Sequence, residues 1–435
     1  LNQNYWIWSR ILQLNNMHIL YISYFYPPLG GPASLRNVKV VKYLAKEGIS
    51  CDVITVSDIE YIQRDFSLLS ECSEQRLIRT DSLDPMALFR KTGISKGNQA
   101  TGLYMNTPEN IKLWIRRLYL LDEKIGWNPF LIKAGRKAIS ETHYDLIYIS
   151  LGPFSSGVGA YKLSKESGIP LVLDMRDYWN LLSDYNLQAT TLHRKYAWNW
   201  EKRFYSYASL IVTATQGIER DIIKAFGPEF AEKTLTVYNG WDENDFIDLP
   251  AVPKPSEYTF SYFGSIYARR NMNAFYKALH RLLEEGKIPQ NIKVRLFGNY
   301  FKETREEITQ SGITNLIEII PPLEHREALA NMMASDVLLL VINSSSPYGT
   351  LTSKVGEYLR TQKPILAMVP YYGEAADLLR KCGHNYICAM ESADTIYHSL
   401  KRLFSETEHN YQIPWEMEKS KQVHNLANRL KEMLG

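Results

Sequence analysis

Apolar residues along the chain fall into two alternating patterns. Short unbroken runs of β-branched and aliphatic residues, bounded by Gly, Pro, Asp or Asn, predict strands buried on both faces, and the longer segments between them carry a helical period. From Met17, HILYISYFYPP predicts a strand that stops at Pro27 and Pro28, LGGPASLRNVKVVKYLAKEG a glycine-containing loop running into a helix, and CDVITVS the next strand, which together make a βαβ unit. Tyr144–Leu151, Pro170–Asp177, Leu210–Gln216 and Thr234–Gly240 predict further strands separated by helical segments. Between Leu249 and Tyr258 the sequence becomes PAVPKPSEY, a proline-rich connector that marks a domain boundary.

After the connector the pattern repeats. TFSYFGS, KVRLFG, IEIIPP, Val337–Ile342 and KPILAMV predict strands, with helices at Asn273–Glu285, Glu303–Ser311, from His325, near Ser353 and from GEAADLL. The expected fold is α/β, with two Rossmann-like, doubly wound parallel-sheet domains over residues 17–250 and 251–413 that face a cleft. Residues 414–435 add a C-terminal helix. Residues 1–16 form an N-terminal extension whose Trp6, Trp8, Ile11 and Leu12 have the spacing of an interfacial helix but equally suit an upstream segment before Met17; no function is assigned to it.

The strand ends hold the chemistry. Ser353 starts a helix after the loop NSSSPYG, Lys354 adds a cation at the positive end of that helix, and Glu357 lies on the same face one turn in. A phosphate suits the helix start and sugar hydroxyls suit Glu357; a surface Lys354–Glu357 pair is the plain alternative. Gly30 and Gly31 sit at the first strand-to-helix turn, and Gly264 precedes Arg269 and Arg270 in FGSIYARRN, where glycine permits close approach and arginine suits a diphosphate. DMRDYWN places Asp174, Arg176 and Asp177 at another strand end, as a base and anion clamp or as a structural network. GPFSSGV spaces its glycines like a phosphate loop but has Val158 and Gly159 where lysine and serine or threonine are required, which excludes a P-loop ATPase.

Composition narrows the classes. The chain has 435 residues, a mass of 50.3 kDa, 22% charged residues and a net charge of +3, without a nucleic-acid signature. Four cysteines without metal-ligand spacing fit a reducing, cytoplasmic setting, and no apolar run is long enough to span a bilayer, so a soluble or peripheral protein is expected.

Five collinear segments, ISYFYPPLGGPASLRNVKVVKYLAKEG, LVLDMRDYW, VYNGWDENDF, YFGSIYARRN and LTSKVGEYLRTQKPILAMVPYYGEAADLL, resemble family 4 glycosyltransferases, retaining enzymes of the GT-B fold that transfer a sugar from a nucleotide donor. The resemblance implies that Gly30 and Gly31 face the donor diphosphate, that Arg269 or Arg270 with Ser353 and Lys354 binds it, and that Glu357 holds the ribose hydroxyls. It also implies that the final helix returns to the first domain. Many members carry another glutamate eight positions before the ribose-binding one, and here that place is Gly349. No metal or other cofactor is expected, because N–H groups, a helix dipole and cations can stabilise the leaving diphosphate; DENDF after Gly240 reads as a helix-starting cap. Asp177 is the candidate for assisting the acceptor hydroxyl.

The expected partners are a nucleotide-sugar donor, UDP- or GDP-linked, and a glycan or lipid-linked acceptor in capsule, exopolysaccharide or lipopolysaccharide synthesis. Ile111–Ala138 mixes Trp114, Arg116, Arg117, Tyr119, Trp127, Lys133, Arg136 and Lys137 with apolar residues, which suits peripheral contact with an anionic membrane surface or a core helix pair with one wet face. A GT-B epimerase or hydrolase, and a non-catalytic partner subunit, are the alternative readings.

Overall fold

The computed structural model describes all residues except 1–16, 58, 60, 62, 86–113, 115–116, 183–189, 267–269, 290 and 407–409. The chain forms two compact units, one running to Tyr238 and resuming at Lys419–Gly435, the other Asn239–Glu418. The division falls at Tyr238, ahead of the expected boundary at residue 250, so the proline-rich connector lies inside the second unit.

In the first unit, seven parallel strands run in the order β3-β2-β1-β4-β5-β6-β7, with β1 His18–Ser23, β2 Ser50–Val56, β3 Arg76–Thr80, β4 Leu146–Leu151, β5 Leu171–Met175, β6 Leu210–Thr213 and β7 Thr234–Thr236. Helices α1 Pro32–Lys46, α2 Asn128–Glu141, α3 Ser156–Ser167, α4 Thr191–Tyr207 and α5 Gln216–Phe226 follow in chain order. Alternate residues of each central strand enter opposite cores. Leu20 and Ile22 of β1 join Ile147, Ile149 and Leu151 of β4 in one cluster, while Ile19, Tyr21 and Tyr148 face the other. That double burial is why these strands read as continuous apolar runs.

The second unit repeats the plan with six parallel strands in the order β10-β9-β8-β11-β12-β13. These are β8 Tyr258–Phe263, β9 Ile292–Phe297, β10 Ile317–Ile320, β11 Val337–Val341, β12 Ile365–Met368 and β13 Ile387–Cys388. Helices α6 Asn273–Glu284, α7 Lys302–Thr309, α8 His325–Ala334, α9 Lys354–Thr361, α10 Glu374–Lys381 and α11 Ala393–Ser405 connect them. Along β11, Val337, Leu339 and Val341 enter one core and Leu338 and Leu340 the other.

The last helix, α12 Lys419–Leu434, belongs to the first unit. Its Val423, Leu426, Ala427 and Leu430 share a core with Val38, Val41 and Leu44 of α1, and Gln422 Oε1 accepts from the Tyr238 N–H at 2.7 Å. In the second unit, Trp241 and Glu418 pair in a parallel bridge.

In both sheets the strand order reverses beside the first strand, between β1 and β4 and between β8 and β11. Crevices at the carboxyl ends of strands at such switch points are where doubly wound sheets bind ligands.

Candidate active site

In the second unit, Gly264, Arg270, Lys354 and Glu357 come together at the carboxyl end of β8. Gly264 has φ +124°, a left-handed conformation that favours glycine, and its N–H donates to the Phe297 carbonyl at 2.8 Å. A Cβ at this position would lie 2.7 Å from Lys354 Nζ. The glycine therefore makes room for the lysine.

Lys354 begins α9, donates from Nζ to the Phe263 carbonyl, and lies with Nζ 4.1 Å from the centroid of the Tyr262 ring. Arg270 hydrogen-bonds the hydroxyl of the same tyrosine. Burial, and then the Arg270 guanidinium, pull the Lys354 ammonium down to about 7. Two cations thus converge on one aromatic ring, an arrangement that an anion between or beside them would relieve. Arg269 lies outside the described residues.

Glu357 is 9% exposed, and its Oε1 accepts from His325 Nε2 at 2.7 Å. Lys354 and Glu357 each have their own partner, so the sequence's plain alternative of a mutual surface pair is not what the fold builds. Ser353 occupies the N-cap position of α9 without a capping hydrogen bond from its side chain. Next to it, Thr352 Oγ1 is enclosed with no partner among the described residues. The helix start thus offers N–H groups and hydroxyls to a ligand. Gly349 lies in the loop between β11 and α9, where the neighbouring Tyr348 carbonyl accepts from the Glu374 N–H at 2.8 Å.

DENDF caps a short turn, as its composition suggests: Asp242 Oδ1 accepts from the Asn244 N–H at 3.0 Å at the head of the 3₁₀ turn Glu243–Phe246. That turn is fastened to α9, since Arg360 Nε donates to Glu243 Oε2 at 2.6 Å.

In the first unit, Gly30 and Gly31 form the turn between β1 and α1. The Gly30 N–H donates to the Gln63 carbonyl at 2.9 Å, and Gly31, with φ +88°, is the N-cap of α1. Pro32 opens the helix, no side chain caps it, and its first turn holds no acidic residue, so its positive end is uncompensated by side chains. Asp177 is exposed just beyond β5, two strands from β1 in the sheet order.

The other members of DMRDYWN form a structural network. Arg36 donates from Nε and Nη2 to both oxygens of Asp174 at 2.9 and 2.8 Å, and Arg176 donates to the carbonyls of Leu151 and Gly152 at 3.0 and 2.6 Å. The loop carrying Asp177 is held further by buried Glu201 on α4, which accepts from the Asn180 N–H at 3.1 Å and the Tyr205 hydroxyl at 2.9 Å.

His325 and Glu201 escaped the sequence reading. The first stands at a helix start after a Pro-Pro pair, and the second in the middle of a helix, where nothing local distinguishes them. The aromatic stretch Ile111–Ala138 divides. Trp127 is buried, donating from Nε1 to Thr80 Oγ1 at 2.7 Å, and α2 buries Leu131 and Ala138 while Arg136 pairs with Glu166. Trp114, Leu118 and Leu120 are exposed, and residues 111–113 and 115–116 lie outside those described.

Residues 37–245 match the model of Glycosyltransferase Family 4. No curated protein matches the chain in sequence. Among solved structures, the chain is similar to HepE of Anabaena, described in complex with UDP and glucose, at 17% identity and a TM-score of 0.61 over 95% of each chain. Sucrose-phosphate synthase of Thermosynechococcus elongatus shares 14% identity at a TM-score of 0.61, over 96% of this chain and 95% of that one. The lipopolysaccharide outer core galactosyltransferase WaaB shares 14% identity at 0.56, over 95% and 99%. UDP-N-acetylglucosamine 2-epimerases share the same fold. Residues 37–245 are thus similar to Glycosyltransferase Family 4 over just under half of the chain, and the chain as a whole has the two-sheet GT-B fold.

Proposed function

We propose that this protein transfers a sugar, with retention, from a nucleotide-diphosphate donor to a glycan or lipid-linked acceptor during synthesis of a surface polysaccharide. The observation that carries this reading is the convergence of Lys354 and Arg270 on Tyr262 at the switch point of the second sheet, with Glu357 one turn along α9. The two cations, with Ser353 and the free N–H groups of α9, take the charge that develops on the leaving diphosphate, and the reaction calls on no metal. Gly264 lets the diphosphate approach. Glu357 accepts from the ribose hydroxyls, being an acceptor that would repel a phosphate. Gly30 and Gly31 offer N–H groups at the start of α1, and exposed Asp177 assists the acceptor hydroxyl. UDP in the HepE structure and the lipopolysaccharide role of WaaB favour a UDP-sugar and a surface glycan.

Among the described residues no helix is long and apolar enough to cross a membrane. Exposed Trp114, Leu118 and Leu120 beside Arg117 support peripheral contact with the cytoplasmic face, and the four free cysteines suit that reducing compartment.

A thermal-shift series with UDP- and GDP-sugars tests the donor: a ligand at 100 times its Kd adds about 2.7 kcal/mol of stability. Incubation of the stabilising donor with and without lipid-linked glycan, followed by NMR of the product anomer, tests transfer and retention. The fold shared with 2-epimerases favours a second reading, an epimerase or hydrolase, which consumption of donor without any acceptor would identify. Gly349, standing where many family members have glutamate, favours a non-catalytic subunit, which binding without turnover would identify.

A further inference from the structure

His325 is the first residue of α8, and its ring spans two carboxylates of the second unit. Nε2 lies 2.7 Å from Glu357 Oε1 on α9, and Nδ1 lies 3.6 Å from Asp245 Oδ2 on the Glu243–Phe246 turn. A carboxylate only accepts, so the hydrogen of the short contact belongs to Nε2. The longer separation exceeds hydrogen-bond range and is a charge contact when the imidazole is protonated. Asp245 is 3% exposed and Glu357 9%, so both acids are close to fully withdrawn from water, where a carboxylate needs a partner.

The terminal torsion of a glutamate side chain is broad and has no strong intrinsic preference. Its carboxylate plane must therefore be set by what it touches. Lys354 cannot set it, because Nζ is turned to the Phe263 carbonyl and the Tyr262 ring. His325 does, by holding Oε1.

Building on the reading of Glu357 as the ribose ligand, we propose that His325 is a positioning residue of the nucleotide site, fixing the Glu357 carboxylate so that it can accept from the vicinal hydroxyls of a nucleoside diphosphate, with Asp245 steadying the imidazole from behind. A mere staple between α8 and α9 would contribute to stability but would not distinguish a ribonucleotide from a deoxyribonucleotide.

The test is calorimetric titration of the full chain with UDP, 2′-deoxy-UDP, GDP and 2′-deoxy-GDP. The wild type is expected to prefer the ribo form of whichever base it binds by about tenfold or more, the range of a hydrogen bond to a charged group. Glu357→Ala should abolish that preference, and His325→Ala should shrink it to about threefold or less with pyrophosphate affinity unchanged. His325→Gln, which can still donate to Oε1, should restore most of it. If the alanine variant does not fold, His325→Phe, which keeps the ring without the donor, carries the same expectation. A wild-type ribo-to-deoxy ratio in both His325 variants lacking the donor, with the ratio lost in Glu357→Ala, overturns this inference alone. No binding of any of the four, or an unchanged ratio in Glu357→Ala, overturns it together with the assignment of Glu357.

Discussion

The ammonium nitrogen of Lys354 lies 4.1 Å from the centre of the Tyr262 ring, with Arg270 at the hydroxyl of the same ring. Burial and that neighbouring guanidinium lower the lysine to about 7. A diphosphate bound beside it would favour the ammonium again. Binding of UDP or GDP at pH 8 is therefore expected to take up a fraction of a proton, read as a dependence of the calorimetric enthalpy on buffer ionisation enthalpy. Lys354→Met should remove that dependence, and a wild type without it would refute the placement of phosphate at Lys354.

The same lysine sets a stability slope. Its folded value lies below its unfolded value of about 10.4, so between pH 7 and that value the unfolded chain binds the extra proton and stability rises with pH. Below pH 7 the contribution is absent. Lys354→Met should be more stable than wild type at pH 6.5 and lose that advantage by pH 9.5, as followed by thermal melting.

Gly264→Ala would place a methyl 2.7 Å from Lys354 Nζ on a backbone at φ +124°. The strain should cost about 1–3 kcal/mol, and the displaced ammonium should weaken nucleotide binding as well. Gly286→Ala makes the contrast, since its φ is +63° and nothing lies within 4 Å of the added Cβ. It should destabilise by about 1 kcal/mol and leave affinity unchanged, so equal losses of affinity in both variants would count against the lysine's role.

Arg36 and Asp174 are both buried, at 2% and 0% exposure. Asp174→Ala would strand the guanidinium, at a cost of about 3–5 kcal/mol in urea denaturation. The double variant Arg36→Met/Asp174→Leu should recover much of that loss, because no charge is then left without a partner. A single variant as stable as wild type would show that the pair is not maintained.

Glu201 is raised to about 7 by burial, against the hydrogen bonds from Tyr205, Asn180 and Leu181 that favour its ionised form. A carboxyl raised on folding contributes stability that is present below its unfolded value, near 4.3, and is lost as pH rises through 7. Glu201→Gln should thus match wild type at pH 5 and exceed it at pH 8 by on the order of 2 kcal/mol in denaturant titrations. A constant difference across that range would refute the shift.

The central strands were legible because both their faces are buried, so runs such as Val337–Val341 have no polar face to interrupt them. Edge strand β3 was not, since RLIRT has only its last residue buried and carries an arginine at each side of its apolar pair. The nucleotide-site candidates Gly264, Arg270, Lys354 and Glu357 could be named from the sequence because their chemistry is local to strand ends and one helix start. What could not be read was who holds them: Tyr262 between two cations, and His325 between Asp245 and Glu357, depend on contacts between elements far apart in the chain. Trp127 shows the same limit, since a tryptophan in a basic stretch gives no local sign that Thr80 will meet its indole N–H inside the core.

The bridge between Trp241 and Glu418 brings the entering and leaving segments of the second unit side by side. Topologically, that makes residues 239–418 an insertion into a first unit that is itself discontinuous and is completed only when α12 is synthesised. An insertion with adjoining ends is the kind of segment that can be excised or exchanged without breaking the element order of its host. Residues 239–418 could therefore be transplanted as one continuous cassette, whereas the first unit can be moved only in two pieces.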